Sequence, residues 1–321
     1  MLPPAPEPRR VTVAAAQFAC CADRAANEAR AELAVRKAAA AGAQVVLLQE
    51  LFSDRYFCQV QHEALFSLAR ERGGSASAGA DELLQRFSKL ARELGVVLPV
   101  SYFERAGQAH FNTVVVFDAN GTELGTYRKS HIPDGPGYQE KFYFSPGDTG
   151  FRVFDTRFGR VGVGICWDQW FPEAARCMAL RGAEILLYPT AIGSEPQDPT
   201  LDSRQHWRTV MRGHAGANLC VLAAANRCGI EPAADGTDQS ITFYGGSFVA
   251  GPTGELCGEC EWWTGDGSGE GVATETADGI SLAMGTFDLN RMRLQRASWG
   301  LFRDRRPGLY GGLATLDGGA A

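Results

Sequence analysis

Three residues of different chemistry each close a predicted strand of the chain. Glu50 ends the run VVLLQE, Lys129 ends GTYRK and Cys166 ends VGVGIC. In open α/β sheets, functional sites collect at the carboxyl ends of strands, so these side chains could meet. Together they supply a base, a cation and a nucleophile, the groups that acyl transfer needs. Singly, each has a plainer explanation: a solvated acid, an edge-strand charge or a small core thiol.

A thiol at Cys166 needs assistance to attack a carbonyl carbon at neutral pH. A free thiol with a pKa of ~8.5 is only a few per cent thiolate at pH 7, so a base or a cation must lie nearby. A base would accept the thiol proton, and a cation would stabilise the negative oxygen of a tetrahedral intermediate.

The segments that must position these residues alternate between β-rich and helical patterns. The predicted strands are Val11–Phe18, Ala43–Glu50, Val96–Phe103, Arg160–Cys166, Ala183–Thr190 and Cys220–Asn226. The predicted helices are Ala26–Ala40, Ala80–Gly95, Pro172–Gly182 and His206–Leu219. Two hairpins are predicted over Phe111–Lys129, with a turn at Asn120-Gly121, and over Gly245–Leu256, and a surface loop over Gly265–Gly279. The pattern predicts a single α/β domain with two sheets packed face to face.

Composition narrows the class of protein. The 321 residues carry a net charge of -6 with no Lys/Arg run, which argues against nucleic-acid binding. No apolar run reaches the ~18 residues of a membrane span, and nine scattered cysteines suit a reducing compartment, so we expect a cytoplasmic protein. A proline-rich start predicts a flexible tail over 1–9, one domain over 10–310 and a C-terminal tail over 311–321.

The sequences around the three residues resemble those of the nitrilase (carbon–nitrogen hydrolase) superfamily, whose catalytic triad is Glu, Lys and Cys. The matching pieces are LLQELF, YRKSHIPD and GICWDQWFPE, in the same order, and the resemblance spans Val11 to Leu309. It implies a single-domain, four-layer α-β-β-α sandwich of two mixed sheets flanked by helices. It also implies a homo-oligomer, a dimer or larger, and a reaction that needs no metal or organic cofactor.

The resemblance also implies roles for individual residues. Glu50 would be the general base that accepts the thiol proton, and Cys166 would be the nucleophile. Lys129 and the backbone N–H of Trp167 would stabilise the negative oxygen of the tetrahedral intermediate. Glu140, in YQEKF, matches a second buried glutamate of the family that holds the lysine. The alternative for Glu140 is an exposed acid paired with Lys141.

The substrate is predicted from the neighbouring motifs. Members of the family that act on carbamoyl amino acids present arginines shortly after the nucleophile, where this chain has the neutral Gln169 and Trp170. Glu195, in GSEPQD, is instead expected to hold an ammonium group; the alternative is a solvated loop acid. Trp167, Tyr56 and Tyr138 are expected to line a narrow slot for a tetramethylene chain. The expected partner is therefore a small cationic ureido compound.

Two alternatives remain open at this point. The chain could hydrolyse another ureido compound, an ω-amide or a nitrile, or it could be a non-catalytic scaffold. CGEC, Cys257–Cys260, has no second Cys/His pair at metal-binding spacing, so a zinc or redox role is disfavoured. His131, beside Lys129, is expected to order a loop. No GxSxG elbow, P-loop or GxGxxG is present.

Overall fold

The apolar runs of the sequence form strands that are buried on both faces. The computed structural model describes residues 7–72, 80–263 and 278–319. The strands are β1 Arg10–Gln17, β2 Val45–Leu47, β3 Arg70–Glu71, β4 Leu98–Ala106, β5 Ala109–Phe117, β6 Glu123–Arg128, β7 Val153–Thr156, β8 Gly159–Val163, β9 Ile185–Thr190, β10 Val221–Asn226, β11 Cys228–Pro232, β12 Ser240–Tyr244, β13 Phe248–Ala250, β14 Leu256–Glu259 and β15 Ser281–Asp288. The helices are α1 Arg24–Ala40, α2 Ala80–Leu94, α3 Pro172–Leu180, α4 Arg204–Asn218 and α5 Leu289–Trp299.

These strands make two mixed sheets and a separate hairpin. The first sheet runs β15-β1-β2 and continues into β4-β5-β6, because Val46 N donates to Val97 O at 3.0 Å. β3 extends the same sheet beside the far end of β4. The second sheet has the order β14-β13-β10-β9-β8-β7, with β8, β9 and β10 parallel. Strands β11 and β12 form a two-stranded hairpin apart from both sheets.

Alternate side chains of each sheet fill different layers of the core. The inner faces pack on each other through branched residues such as Val13, Val45 and Val114 of the first sheet and Val163 and Leu187 of the second. Helices α1 and α2 cover the outer face of the first sheet, and α3 and α4 cover that of the second. The predicted four-layer α-β-β-α sandwich is therefore confirmed.

Two predicted strands end earlier than the sequence suggests. β2 ends at Leu47 and β8 at Val163, so neither Glu50 nor Cys166 is a strand residue. The backbone leaves the extended conformation because Leu51 and Cys166 adopt positive φ angles of 50° and 41°. The two residues therefore lie on turns just beyond the carboxyl ends of their strands. β7, the β11–β12 hairpin, β15 and α5 were not predicted from the sequence.

The structure describes the last residues of the predicted N-terminal tail. Within the predicted N-terminal tail, Arg9 N donates to Asp288 Oδ1 at 3.1 Å and Glu7 O accepts from Asn290 Nδ2, so residues 7–9 contact the start of α5. Most of the predicted surface loop, residues 264–277, lies outside the described residues, as do residues 1–6. In the described ranges, no helix has the length and apolar content needed to cross a membrane.

Candidate active site

Lys129 is the centre of a buried charge cluster. Its side chain has no exposed surface, and its Nζ lies 2.8 Å from Glu50 Oε1 and 2.6 Å from Glu140 Oε2. An ammonium group has three N–H donors, so these bonds leave one for another acceptor. The structure thus brings together three residues predicted from distant segments. The alternative of an exposed Glu140 paired with Lys141 is wrong, because Glu140 is only 1% exposed.

Glu50 keeps one carboxylate oxygen free. Its Oε1 accepts hydrogen bonds from Asn112 Nδ2 at 2.6 Å and from Lys129. Its Oε2 is buried and has no hydrogen-bond partner among the described residues. Buried acceptors are normally satisfied, so an open one at the centre of a charge cluster is a functional signal. This oxygen is available to accept a proton.

Asn112 was missed by the sequence analysis. It lies on β5, where its O also accepts from Lys129 N at 2.9 Å. It is therefore bonded to both Glu50 and Lys129. A signal was present in FNTVVVF, where a fully buried amide interrupts an apolar strand. Its partners depend on tertiary packing and could not be derived from that pattern.

Cys166 lies at the start of a short 3-10 helix, Cys166–Trp170, that follows β8. It is 5% exposed, and its left-handed φ is disfavoured for a residue with a Cβ. Such strain clusters at functional positions. A Cβ added at Gly164 would lie 2.7 Å from the Tyr188 ring, which confirms that this glycine permits close packing of the turn. Trp167 is the second residue of the helix, where a backbone N–H has no partner within the helix.

Asp168 fixes the turn that carries Cys166. Its Oδ2 accepts from Ile165 N at 2.9 Å and Tyr127 Oη at 2.7 Å. Its Oδ1 accepts from His131 N at 3.0 Å and lies 2.7 Å from His131 Nδ1. One buried carboxylate therefore joins the segment after Lys129 to the nucleophile turn. This agrees with the prediction that His131 orders its loop, whereas the role of Asp168 was missed.

The electrostatics of the cluster favour a protonated thiol at rest. Burial raises the pKa of Cys166 well above its usual value, Glu50 raises it further, and Lys129 opposes the shift. Burial alone would lower the pKa of Lys129, but the charges of Glu140 and Glu50 outweigh it and raise that pKa. Burial also raises the pKa of Glu140 to about 7, against the field of Lys129. The thiol must therefore lose its proton to a base during attack.

Two predicted slot residues have partners in the protein. Tyr56 is buried and its Oη donates to Glu140 Oε1 at 2.8 Å. Its ring packs against that of Tyr138, with centroids 5.7 Å apart. Tyr138 Oη accepts from Gly193 N at 3.0 Å and donates to Ser194 O at 3.1 Å. Tyr56 thus supports Glu140, and Tyr138 orders the loop that leads to Glu195.

Glu195 is half-buried at the edge of the site. Its Oε2 accepts from Gln197 Nε2 at 3.1 Å, and burial raises its pKa. Burial raises the pKa of Tyr138, and the charge of Glu195 and, more weakly, that of Cys166 add to this shift. Tyr138 therefore lies within electrostatic reach of both groups. The half-burial of Glu195 disfavours the alternative of a freely solvated acid.

Gln169 does not face the substrate side. It is fully buried, and its Oε1 accepts from Trp207 Nε1 at 2.7 Å, which ties the nucleophile turn to α4. Trp167, by contrast, is 40% exposed. It borders a cavity of about 540 Å³ lined also by His131 and Lys141. Its lining comes from the segments that follow Lys129, Glu140 and Cys166, and the side chains of those three residues do not themselves line it.

Comparisons with known proteins agree with this geometry. The carbon–nitrogen hydrolase family pattern matches residues 12–296, and the chain belongs to that family. It is similar to the N-carbamoylputrescine amidase of Arabidopsis thaliana, with 55% identity over 97% of each chain. It is also similar to the citrullinase of Francisella tularensis, with 47% identity over 94% of this chain and 96% of the relative. A carbon–nitrogen hydrolase structure from Helicobacter pylori superimposes with a TM-score of 0.83, at 38% identity, covering 96% of this chain and 99% of that one.

Proposed function

We propose that the protein hydrolyses N-carbamoylputrescine to putrescine, carbon dioxide and ammonia through a thioester on Cys166. The observation that carries this proposal is the 55% sequence identity with the N-carbamoylputrescine amidase of Arabidopsis thaliana, over 97% of both chains. The buried Glu50–Lys129–Glu140 cluster beside Cys166 supplies the chemistry. The product is a polyamine, so the reaction would contribute to polyamine synthesis.

The first half of the reaction forms the thioester. Cys166 Sγ attacks the ureido carbon while its proton passes to Glu50 Oε2, the oxygen that lacks a partner. The carbonyl oxygen becomes negative and is stabilised by the third N–H of Lys129 and by the backbone N–H of Trp167. The bond from carbon to the terminal nitrogen then breaks. That nitrogen takes the proton from Glu50 and leaves as ammonia, and a carbamoyl thioester remains.

The second half releases the product. Glu50, again a carboxylate, takes a proton from a water molecule as the water oxygen attacks the thioester carbon. The carbon–sulfur bond breaks, and the sulfur recovers the proton from Glu50. The released N-carboxy amine loses carbon dioxide and leaves the free amine. Glu140 stays a charge partner of Lys129 throughout, since its two oxygens bind Lys129 and Tyr56.

A second candidate substrate is citrulline. The match to a citrullinase favours it, and so does the cavity beside the nucleophile, where Lys141 and His131 could face a carboxylate. Citrulline shares the ureido group and the ammonium group with N-carbamoylputrescine. It differs by an added carboxylate, so the two substrates test different sides of the site.

A substrate panel scored for ammonia release tests the proposal. Purified protein is assayed with N-carbamoylputrescine, citrulline and N-carbamoyl-β-alanine, with Cys166→Ala as the blank. We expect the highest kcat/KM for N-carbamoylputrescine and the lowest for N-carbamoyl-β-alanine, which has no ammonium group. A higher kcat/KM for citrulline would transfer the assignment to the second candidate. A preference for N-carbamoyl-β-alanine would refute the cationic pocket. Light scattering of the same preparation tests the homo-oligomer that we also propose.

A further inference from the structure

A second buried ion pair lies behind the site. Arg227 follows β10 and Glu231 lies on β11, and both are at most 1% exposed. Arg227 Nη1 donates to Glu231 Oε1 at 2.9 Å and to Oε2 at 3.0 Å. Replacing such a pair by apolar residues is often neutral or stabilising. Its presence therefore calls for a reason other than stability.

Arg227 holds the turn that carries Glu50. Its Nη2 donates to Glu50 O at 2.7 Å and to Leu51 O at 3.2 Å, and its Nη1 donates to Asp54 O at 3.3 Å. Leu51 has a φ of 50°, a left-handed conformation that is disfavoured for leucine. The guanidinium therefore bonds the backbone carbonyls before and after the φ angle of Leu51, which are those of Glu50 and Leu51. A planar group with five N–H donors can do this, whereas a lysine with three cannot reproduce the pattern.

Glu231 extends the support to the second carboxylate. Its Oε2 accepts from Tyr56 N at 2.6 Å as well as from Arg227. Tyr56 in turn donates its Oη to Glu140 Oε1. A continuous chain of hydrogen bonds therefore runs from Glu50 through Arg227, Glu231 and Tyr56 to Glu140.

We propose that Arg227 and Glu231 are positioning residues that set the distance of Glu50 and Glu140 from Lys129 and Cys166. This inference rests on the proposed function only in assigning Glu50 as the base. Neither residue touches the reacting atoms. They act through the Glu50–Leu51 turn and through Tyr56, and a misplacement of about 1 Å at a catalytic group can lower a rate by about 10²-fold.

The test compares two variants with a matched control. Arg227→Lys keeps the charge but cannot bond all the carbonyls. Glu231→Gln keeps the shape, but in either amide orientation its N–H₂ group faces a donor, Arg227 Nη1 or the Tyr56 N–H. The control is Arg208→Lys, a buried arginine of α4 that likewise bonds a carboxylate, Glu259, and a backbone carbonyl, that of Gly246. Each variant is first shown to be folded by its thermal unfolding midpoint.

Two readouts separate positioning from structural support. One is the split of kcat and KM on N-carbamoylputrescine. The other is the pH profile of Cys166 alkylation by iodoacetamide, followed by peptide mass spectrometry, which needs no substrate. For Arg227→Lys we expect kcat to fall about 10²-fold with KM within about threefold. The rise of alkylation with pH should be displaced to lower pH, because Glu50 raises the pKa of Cys166 and a Glu50 held farther from the thiol raises it less.

The outcomes are distinct. Glu231→Gln should lower kcat by about tenfold, and Arg208→Lys should leave kcat and alkylation unchanged. A folded Arg227→Lys variant with the kcat and alkylation profile of Arg208→Lys would overturn the inference. If Arg227→Lys does not fold, Glu231→Gln decides by the same two criteria. If the wild type does not hydrolyse N-carbamoylputrescine, the proposed function fails, yet the alkylation profiles still decide the positioning role.

Discussion

The two buried charge clusters of this protein, Glu50–Lys129–Glu140 and Arg227–Glu231, are alike in burial, but Glu50 and Glu231 differ in how many of their carboxylate oxygens accept hydrogen bonds. Glu231 uses both carboxylate oxygens, with Arg227 on each and the Tyr56 N–H on one. Glu50 uses only Oε1, and within the described residues its Oε2 has no partner. The Glu231 carboxylate is saturated by the fold, and we call Arg227–Glu231 the closed cluster. The Glu50 carboxylate retains capacity to bind a proton, and we call Glu50–Lys129–Glu140 the open cluster.

This difference shows where the fold accepts an unfavourable arrangement. Two carboxylates share one ammonium in the first cluster, so it holds one excess negative charge in a buried site. A buried cluster with an excess charge costs folding free energy, because no partner in the protein neutralises that charge. The second cluster is a neutral pair. We infer that burial alone does not mark the reactive site, whereas an unsatisfied acceptor in a buried cluster does.

The largest expected effect tests whether the open cluster acts through the thiol. Cys166→Ala should abolish ammonia release, because no other group can form the thioester. The midpoint of thermal unfolding should stay close to that of the wild type, because a small side chain is lost. Residual turnover above the rate without enzyme would show that the open cluster does not need the thiol.

The next effect tests the unequal charge balance of the two clusters. Lys129→Met leaves the two carboxylates without their shared cation, so we expect a loss of about 3–5 kcal/mol in the free energy of unfolding. The kcat should fall at least about 10²–10³-fold with the oxyanion donor removed. Urea denaturation and steady-state kinetics measure the two losses.

A double variant separates those two losses. Lys129→Met with Glu140→Gln removes one of the opposed charges, so stability should recover in part while kcat stays low. If Lys129→Met alone unfolds at the same urea concentration as the wild type, the cluster does not carry the buried charge balance assigned to it.

The sequence predicted the open cluster better than the closed one. Glu50 and Lys129 each close a predicted strand, as does Cys166 outside the cluster, and local patterns of that kind are visible in one sequence. Arg227 and Glu50 are 177 positions apart, and their bond depends on a turn at Leu51 that no local pattern announces. Asn112 and Asp168 were missed for the same reason, since each is defined by partners in other segments of the chain.

The fold shows the same division between local and long-range signals. Helix α2 was predicted from its apolar face, and Leu83, Leu84, Phe87 and Leu90 are buried on it. Helix α5 buries only Leu289 and Met292 among its described residues, so its sequence has no extended apolar face to detect. The turns at Glu50 and Cys166 were predicted as strand ends because periodicity cannot report a single positive φ.

A pH profile sharpens the comparison, because Glu140 in the open cluster should titrate in the working range. Burial raises its pKa to about 7, so at lower pH it holds a proton. Glu50 is then the one remaining charge partner of Lys129, which makes Glu50 a weaker base. The expected kcat/KM is therefore highest above about pH 7 and falls as the pH drops through that value, by up to about tenfold per unit. This fall on the acid side of the pH profile, its acid limb, reports the titration of the coupled cluster as a whole.

Glu140→Gln is the variant that assigns this limb. Glutamine cannot titrate, so the variant should have a lower kcat and no limb near pH 7. The measurement is kcat/KM over about pH 5.5–9 for both proteins. An identical acid limb in the variant would assign the titration to a group outside Glu140.

The smallest effect concerns Glu195, a half-buried acid that belongs to neither cluster. Its Oε2 accepts one hydrogen bond, from Gln197, so it too has capacity left for a cation. A hydrogen bond to a charged group contributes roughly 1.5–3 kcal/mol, so Glu195→Gln should raise KM for N-carbamoylputrescine about tenfold or more, with kcat within a few-fold. The KM for N-butylurea, which lacks the ammonium group, should not change.

Asp198→Asn is the matched control, because Asp198 lies in the same loop, is exposed and bonds Thr200. If KM rises equally in both variants, the effect comes from the loop charge rather than from a contact with the substrate. An effect confined to Glu195→Gln would extend the lesson of the open cluster, since an acid that the fold leaves partly unsatisfied would again be the one that binds.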